Sequence, residues 1–155
     1  MEVWDAYDKK YQKIDDVSLI RGEEIPLGMY HLVSEILVKH TDDTYLIMQR
    51  DSKKNFGNMW EATAGGSALK GESAIQCAKR ELFEETGILG FEFNELGTVY
   101  DSNTIYVQYL CVVSCEKDSI KLQVGETMDY KWISKEELLS MNKTELVTTH
   151  IQKFI

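Results

Sequence analysis

Seven residues between positions 66 and 88 hold a fixed register: Gly66, Glu72, Arg80, Glu81, Glu84, Glu85 and Gly87, with apolar Leu82 and Ile88 interleaved. The run reads G-x5-E-x7-R-E-U-x-E-E-x-G-U, with U apolar. At ~6% usage per residue type, chance would supply this register in such a chain about once in 10⁷ trials. The run dictates local structure before it suggests chemistry. Ser73 and Gln76 form an S-x-x-Q capping box, which starts a helix at about Ser73. Gly87 suits the position just past the helix end. At ~100° per residue, Ile75, Ala78 and Leu82 share an apolar stripe. Glu81, Glu84 and Glu85 fall on an adjoining wedge about 100° wide.

Three carboxylates that close repel one another, and each raises its neighbours' pKa. A divalent cation relieves the repulsion, and hard oxygen donors at this density suit Mg²⁺ or Mn²⁺. Arg80 lies four residues before Glu84 and can steady that carboxylate from behind. Gly65 and Gly66 predict a tight turn with close backbone approach, from which a carbonyl is available to a cation. A bare E-x-x-E-E also fits a solvated acidic helix face with ordinary ion pairs. With Gly66, Glu72, Arg80 and Gly87 all in register, that reading gives way to a functional site, either catalytic or binding without catalysis.

In every defined position the run resembles the Nudix box of diphosphate hydrolases. The resemblance spans roughly residues 30 to 140 and implies an α/β (α+β) fold, the Nudix α-β-α sandwich with a mixed β-sheet between helices. It implies Glu84 and Glu85 as principal metal ligands. Glu81 would be either a ligand or the base that activates water. Glu72 would hydrogen-bond Arg80 and support the loop, and the Gly65 carbonyl would be a further ligand. The family often adds a carboxylate from a downstream loop about six residues before a tryptophan; Glu126 stands six before Trp132. The implied reaction is metal-dependent cleavage of a diphosphate joined to another group, most often a nucleotide. Family precedent also favours a homodimer.

The front half carries a finer likeness. EVWDAYD, RGEEIPLGMYHLVSEILV and MQRDSKKNFGNMW resemble a Nudix subgroup related to isopentenyl-diphosphate isomerase. Allylic isomerisation is thus an alternative to hydrolysis. That enzyme needs a Cys and a metal-binding His in a C-G-H run ahead of the box, and Gly65, Gly66 and Ser67 stand there instead. His31 falls where the isomerase places a first-strand His, although a lone strand His is more often structural. The group attached to the diphosphate is left to loops and to aromatics such as Phe56, Trp60, Tyr100 and Tyr106. Each of these also reads as core or plain surface.

Composition bounds the rest. A chain of 155 residues supports one full core, so residues 1–155 read as a single domain, with a strand pair and extension over 1–29 and the box at 66–88. A net charge of −9 argues against a nucleic-acid polymer as partner, but a small diphosphate can bind where cations reverse the local field. No apolar run reaches the ~18 residues of a membrane span, and no secretory signal is visible, so cytoplasm is the expected compartment. Three cysteines fit a reducing environment. Cys111 and Cys115, four apart on a strand, would sit roughly 13 Å from each other, too far for a disulfide. Cys77 falls at the edge of the helix stripe.

Periodicity predicts the other elements. Met1 to Tyr7 and Ile14 to Ile20 pair through a turn. His31 to Lys39 and Thr44 to Arg50 are strands, and Trp60 to Ala64 is a short one. Phe91 to Tyr100 and Thr104 to Cys115 form a hairpin through Asp101-Ser102-Asn103. Met128 to Ile133 is a strand; Ser134 to Met141 and Thr144 to Ile155 are helices.

Overall fold

The computed structural model describes residues 1–155. Strand β3 (His31–His40) organises the molecule. It pairs in parallel with β8 (Thr104–Val113) along its whole length, from His31 opposite Thr104 to His40 opposite Val113. It pairs antiparallel with β4 (Tyr45–Arg50) and with β6 (Ala64–Ser67). Strands β5 (Trp60–Ala62) and β9 (Thr127–Ile133) flank β4, and β7 (Glu92–Asp101) flanks β8, giving a seven-stranded mixed sheet.

Alternation along the strands divides the core in two. Ile36, Val38, Leu46 and Met48 face helix α1 (Ala74–Thr86), which seats Cys77, Ala78 and Leu82 against them. Leu37, Tyr45 and Ile47 face the opposite layer. There Leu138 of α2 (Lys135–Ser140) joins Leu146 and Ile151. The result is the expected mixed sheet between helical layers. Helix α1 has the predicted ends: Ser73 and Gln76 complete a reciprocal capping box, and Gly87 closes the helix at φ 78°.

Three expectations are corrected. Thr144 to Ile155 is not one helix. It begins as turns, Leu146 bridges to Trp60, and only Thr149–Phe154 winds into a short 3-10 helix. Its Thr148 forms no side-chain cap, whereas Ser134 completes a capping box with Glu137. The strand from Trp60 to Ala64 is broken at Thr63, whose buried Oγ1 accepts from Val38 N at 2.8 Å and donates to Leu46 O at 2.6 Å. The side chain thus supplies pairing that the ladder lacks there. Finally, Gly65 and Gly66 form no tight turn: they lie in β6, opposite Glu35 and Ser34. Gly66 leaves room for the Glu81 carboxylate: a Cβ there would meet Oε1 at 2.3 Å and displace that group from its place beside Arg80.

The N-terminal strands β1 (Val3–Tyr7) and β2 (Lys13–Ile20) form a separate hairpin. It buttresses the approach to α1. Trp4 stacks on His31 with ring centroids 4.2 Å apart. Gly71 N donates to Asp5 Oδ2 at 2.7 Å, and Lys70 N to Val3 O at 2.9 Å. His31 is therefore occupied structurally. Its ring also meets Thr104 Oγ1 at 2.8 Å, and burial lowers its pKa.

Thr63→Val keeps the shape of the side chain but leaves a buried N–H and a buried C=O unpaired. It should cost about 2–4 kcal/mol in urea unfolding, and a loss below about 0.5 kcal/mol would contradict the bridging role.

Candidate active site

Helix α1 presents its acidic face to β6, and the contact explains the spacing of the box. Arg80 sits at the centre. Its Nε and Nη2 reach the two oxygens of Glu72 at 2.8 and 2.9 Å. Nη1 reaches Glu81 at 2.9 Å and Glu84 at 3.2 Å, and Nη2 also reaches the Ser67 carbonyl at 3.2 Å. Such a fork fixes several oxygens at once, which a Lys could not do. Glu72 also accepts from Leu69 N at 3.1 Å, tying the pre-helix loop to the same arginine. Burial works against the Glu72 carboxylate, but the bonds from Arg80 and Leu69 outweigh it and hold its pKa low.

Glu85 does not reach Arg80, and its carboxyl lies against that of Glu81. It is 8% exposed and forms no ion pair. Burial pushes its carboxyl well above the ordinary value of 4.5, and the negative charges of Glu61 and Glu81 push it further. Glu81 is also raised by burial, with Arg80 opposing. Glu84 is the most solvated of the three, its side chain 46% exposed.

These carboxylates open onto a cleft of about 290 Å³ whose lining has no hydrophobic residue. Gly65 and Gly66 line it, and so does Glu126, which enters from the segment just before β9. Glu126 is ion-paired with Lys54. All seven candidates, Gly65, Glu72, Arg80, Glu81, Glu84, Glu85 and Glu126, therefore belong to the cleft or to the arginine network beside it. Thiols do not contribute. Cys77 donates to the Gly66 carbonyl at 3.3 Å, and burial pushes its pKa up to about 12. All three cysteines are free.

No three carboxylate, imidazole or thiolate groups already converge on one ion position. Arg80 holds Glu81 and Glu84, while Glu85 is buried without a cationic partner. The donor set still suits a divalent cation: it is all oxygen, and its innermost carboxylate lacks a positive charge. Glu81 and Glu84 would turn on flexible side chains, whereas burial fixes Glu85.

Among known protein families, the NUDIX domain model matches residues 29–152. This chain belongs to the Nudix family. It is 30% identical over 147 residues to the Nudix hydrolase lmo0368 of Listeria monocytogenes, covering 93% of this chain and 86% of that protein. It is 31% identical over 110 residues to the Nudix hydrolase YfcD of Escherichia coli K12, covering 70% and 61% respectively. Among solved structures, DR0079 of Deinococcus radiodurans superposes with a TM-score of 0.73 at 16% identity, over 90% of this chain and 87% of that one. The NUDIX domain of Shewanella oneidensis NrtR, complexed with ADP ribose, gives 0.64 at 23% identity over 81% and 84%. The enzyme is thus a Nudix hydrolase. No helix is long and apolar enough to cross a membrane.

Several groups in this Nudix site left no trace in the sequence pattern. Glu61 lies on β5, and its register opposite Met48 places it beside Arg50, which donates to it at 2.8 Å. Burial raises the Glu61 pKa although Arg50 opposes it. Arg21 follows β2 and reaches the cleft because the N-terminal hairpin folds back there. Of the four aromatics, Phe56 and Tyr106 line a second cavity beside the cleft. Trp60 carries Lys131 over its ring at 4.4 Å, and Tyr100 packs edge-on against Tyr30.

A raised carboxyl pKa sets the sign of a pH effect. Between 4.5 and the raised folded value, the native protein holds more protons than the unfolded chain, so its stability falls as pH rises through that window. Glu85→Gln removes the ionising group. In chelator, the variant should melt several degrees above wild type at neutral pH, and the gap should close as pH falls below about 4.5. A variant that melts lower at neutral pH would contradict the burial argument.

Proposed function

We propose that this enzyme hydrolyses, with a divalent cation, the diphosphate linkage of a nucleoside diphosphate-linked small molecule. One observation carries the reading: a buried, cation-less Glu85 beside Glu81 and Glu84, in a cleft that also holds Arg21, Arg50 and Lys54, each paired with a carboxylate. A carboxylate without a cation, alongside these basic groups, matches a bound cation together with a diphosphate. Nucleotide-derived ligands are favoured because the NrtR domain was solved with ADP ribose and a Caenorhabditis elegans neighbour is an Ap4A hydrolase.

Glu84 and Glu85 are assigned as principal ligands of Mg²⁺ or Mn²⁺, with the Gly65 carbonyl and Glu126 completing the set. When bound, the cation supplies fixed positive charge to the diphosphate and makes water more acidic. The protein's own groups do the rest. Arg50 and Lys54 offset negative charge on the phosphoryl oxygens. Glu81, with its raised pKa, is placed to accept the proton as water attacks phosphorus. Arg80 keeps Glu81 and Glu84 oriented and touches no reacting atom. Glu126, now paired with Lys54, would hold the cation, and Lys54 would face the diphosphate. A cytoplasmic location and a homodimer accompany this reading.

A panel of diphosphates with phosphate detection tests it. Activity should appear with Mg²⁺ or Mn²⁺ and vanish with chelator. Glu84→Gln and Glu85→Gln should each lower kcat by about 10²–10³ with the fold intact. Arg80→Ala should lower kcat with a smaller change in cation affinity. Hydrolysis that survives chelation would overturn the metal role, and ligand binding without turnover across the panel would make the domain a binding module.

A further inference from the structure

The second cavity differs in kind from the charged cleft it adjoins. It holds about 660 Å³, shares Arg21, Arg50, Glu61, Gly65 and Gly66 with the cleft, and is walled by Val33, Phe56, Met59, Tyr106 and Val147. A molecule lying across both would be anionic at one end and flat or apolar at the other.

Charged side chains line it as well, Asp101 and Lys143 among them, and one of the charged groups is buried. Glu35, on β3, lines the cavity and is only 6% exposed. Its Oε1 accepts from Gln108 Nε2 at 2.9 Å and is paired with His150 Nε2. Its Oε2 has no partner in the protein, and unlike Gln108 Oε1 it is not sealed from solvent. His150 comes from the C-terminal 3-10 segment and tilts against Tyr106 with ring centroids 5.3 Å apart. The carboxylate is thus fixed from two sides, with one oxygen free. A buried acceptor held this rigidly selects for a hydrogen-bond donor and against an acceptor, because the mismatch leaves a charged oxygen unsatisfied.

We infer that Glu35 is a specificity residue that accepts a hydrogen bond from an amino group on the base of a nucleotide whose diphosphate occupies the acidic cleft. The inference rests on the nucleotide reading above and adds which bases fit: those with an exocyclic amino donor, rather than a carbonyl or a hydrogen, at the edge presented to Glu35. Phe56 and Tyr106 supply aromatic surface for the ring. Phe56 is 66% exposed, as suits a side chain that a ligand would cover.

Binding calorimetry on the full chain, with Ca²⁺ to slow turnover, tests this with the matched pairs ADP and IDP, GDP and IDP, and CDP and UDP. In at least one pair the amino-bearing nucleotide should bind roughly 10- to 100-fold more tightly. Glu35→Gln should bring that ratio to within about threefold, because the amide can rotate to offer either a donor or an acceptor. The wild-type comparison stands even if the variant folds poorly. Equal binding within every pair would overturn the inference. So would a Glu35→Gln loss shared equally by both members, since Glu35 would then read a sugar hydroxyl or only brace His150. If no nucleotide binds but another diphosphate is hydrolysed with dependence on Glu84 and Glu85, the base assignment fails and the hydrolase reading stands.

Discussion

Arg80 carries five N–H donors in a rigid plane, and the active-site region is arranged around where they point. The fork holds Glu72, Glu81, Glu84 and the Ser67 carbonyl together. Each partner comes from a different structural decision. Glu72 belongs to the pre-helix loop, Ser67 to the end of β6, and the two other glutamates to successive turns of α1. Without the fork, the acidic face of α1 would repel itself and the loop would lose its tether. With it, only Glu85 is left as a buried carboxylate lacking positive charge. The arginine thus settles most of the local electrostatics and leaves one demand open on the side facing the cleft.

The fold supports that arrangement through packing. Gly66 lets β6 pass so close to α1 that its missing side chain makes room for Glu81. Ala78 and Leu82 lock the adjoining stripe of the helix to the sheet, so the acidic face cannot rotate away. The N-terminal hairpin grips the loop through Asp5 and Val3. The same hairpin delivers Arg21 to the cleft, where it pairs with Glu2. The residues matched by the family model begin at position 29, so this contribution is an addition to the shared core.

Legibility in the sequence followed the range of the interactions. The capping box, the terminal glycine and the helix stripe are local, and α1 formed where they placed it. Strands with clear alternation were equally legible. Thr144 to Ile155 failed because a threonine followed by a glutamate imitates a helix start, while the tertiary bridge of Leu146 to Trp60 holds the chain extended. Glycine permits turns, and nothing local distinguishes a turn from the use found here, space for Glu81 on a helix that begins eight residues after Gly66. Glu35, Glu61, Arg21 and His150 depend on strand register and on how both chain ends fold back, which no local pattern encodes. The Nudix box thus marked the charged half of the site, whereas the cavity beside it emerged only in three dimensions.

Proton release on cation binding tests most directly the claim that the buried carboxylates around Glu85 demand a divalent cation. Mn²⁺ would be titrated into chelator-stripped protein at mildly acidic pH, in buffers of different ionisation enthalpy. Saturable binding with release of protons is expected, because burial raises the pKa of these carboxyls and ligation requires their ionised form. The release should shrink in Glu85→Gln. Tight binding with no proton release, or release unchanged in that variant, would contradict it.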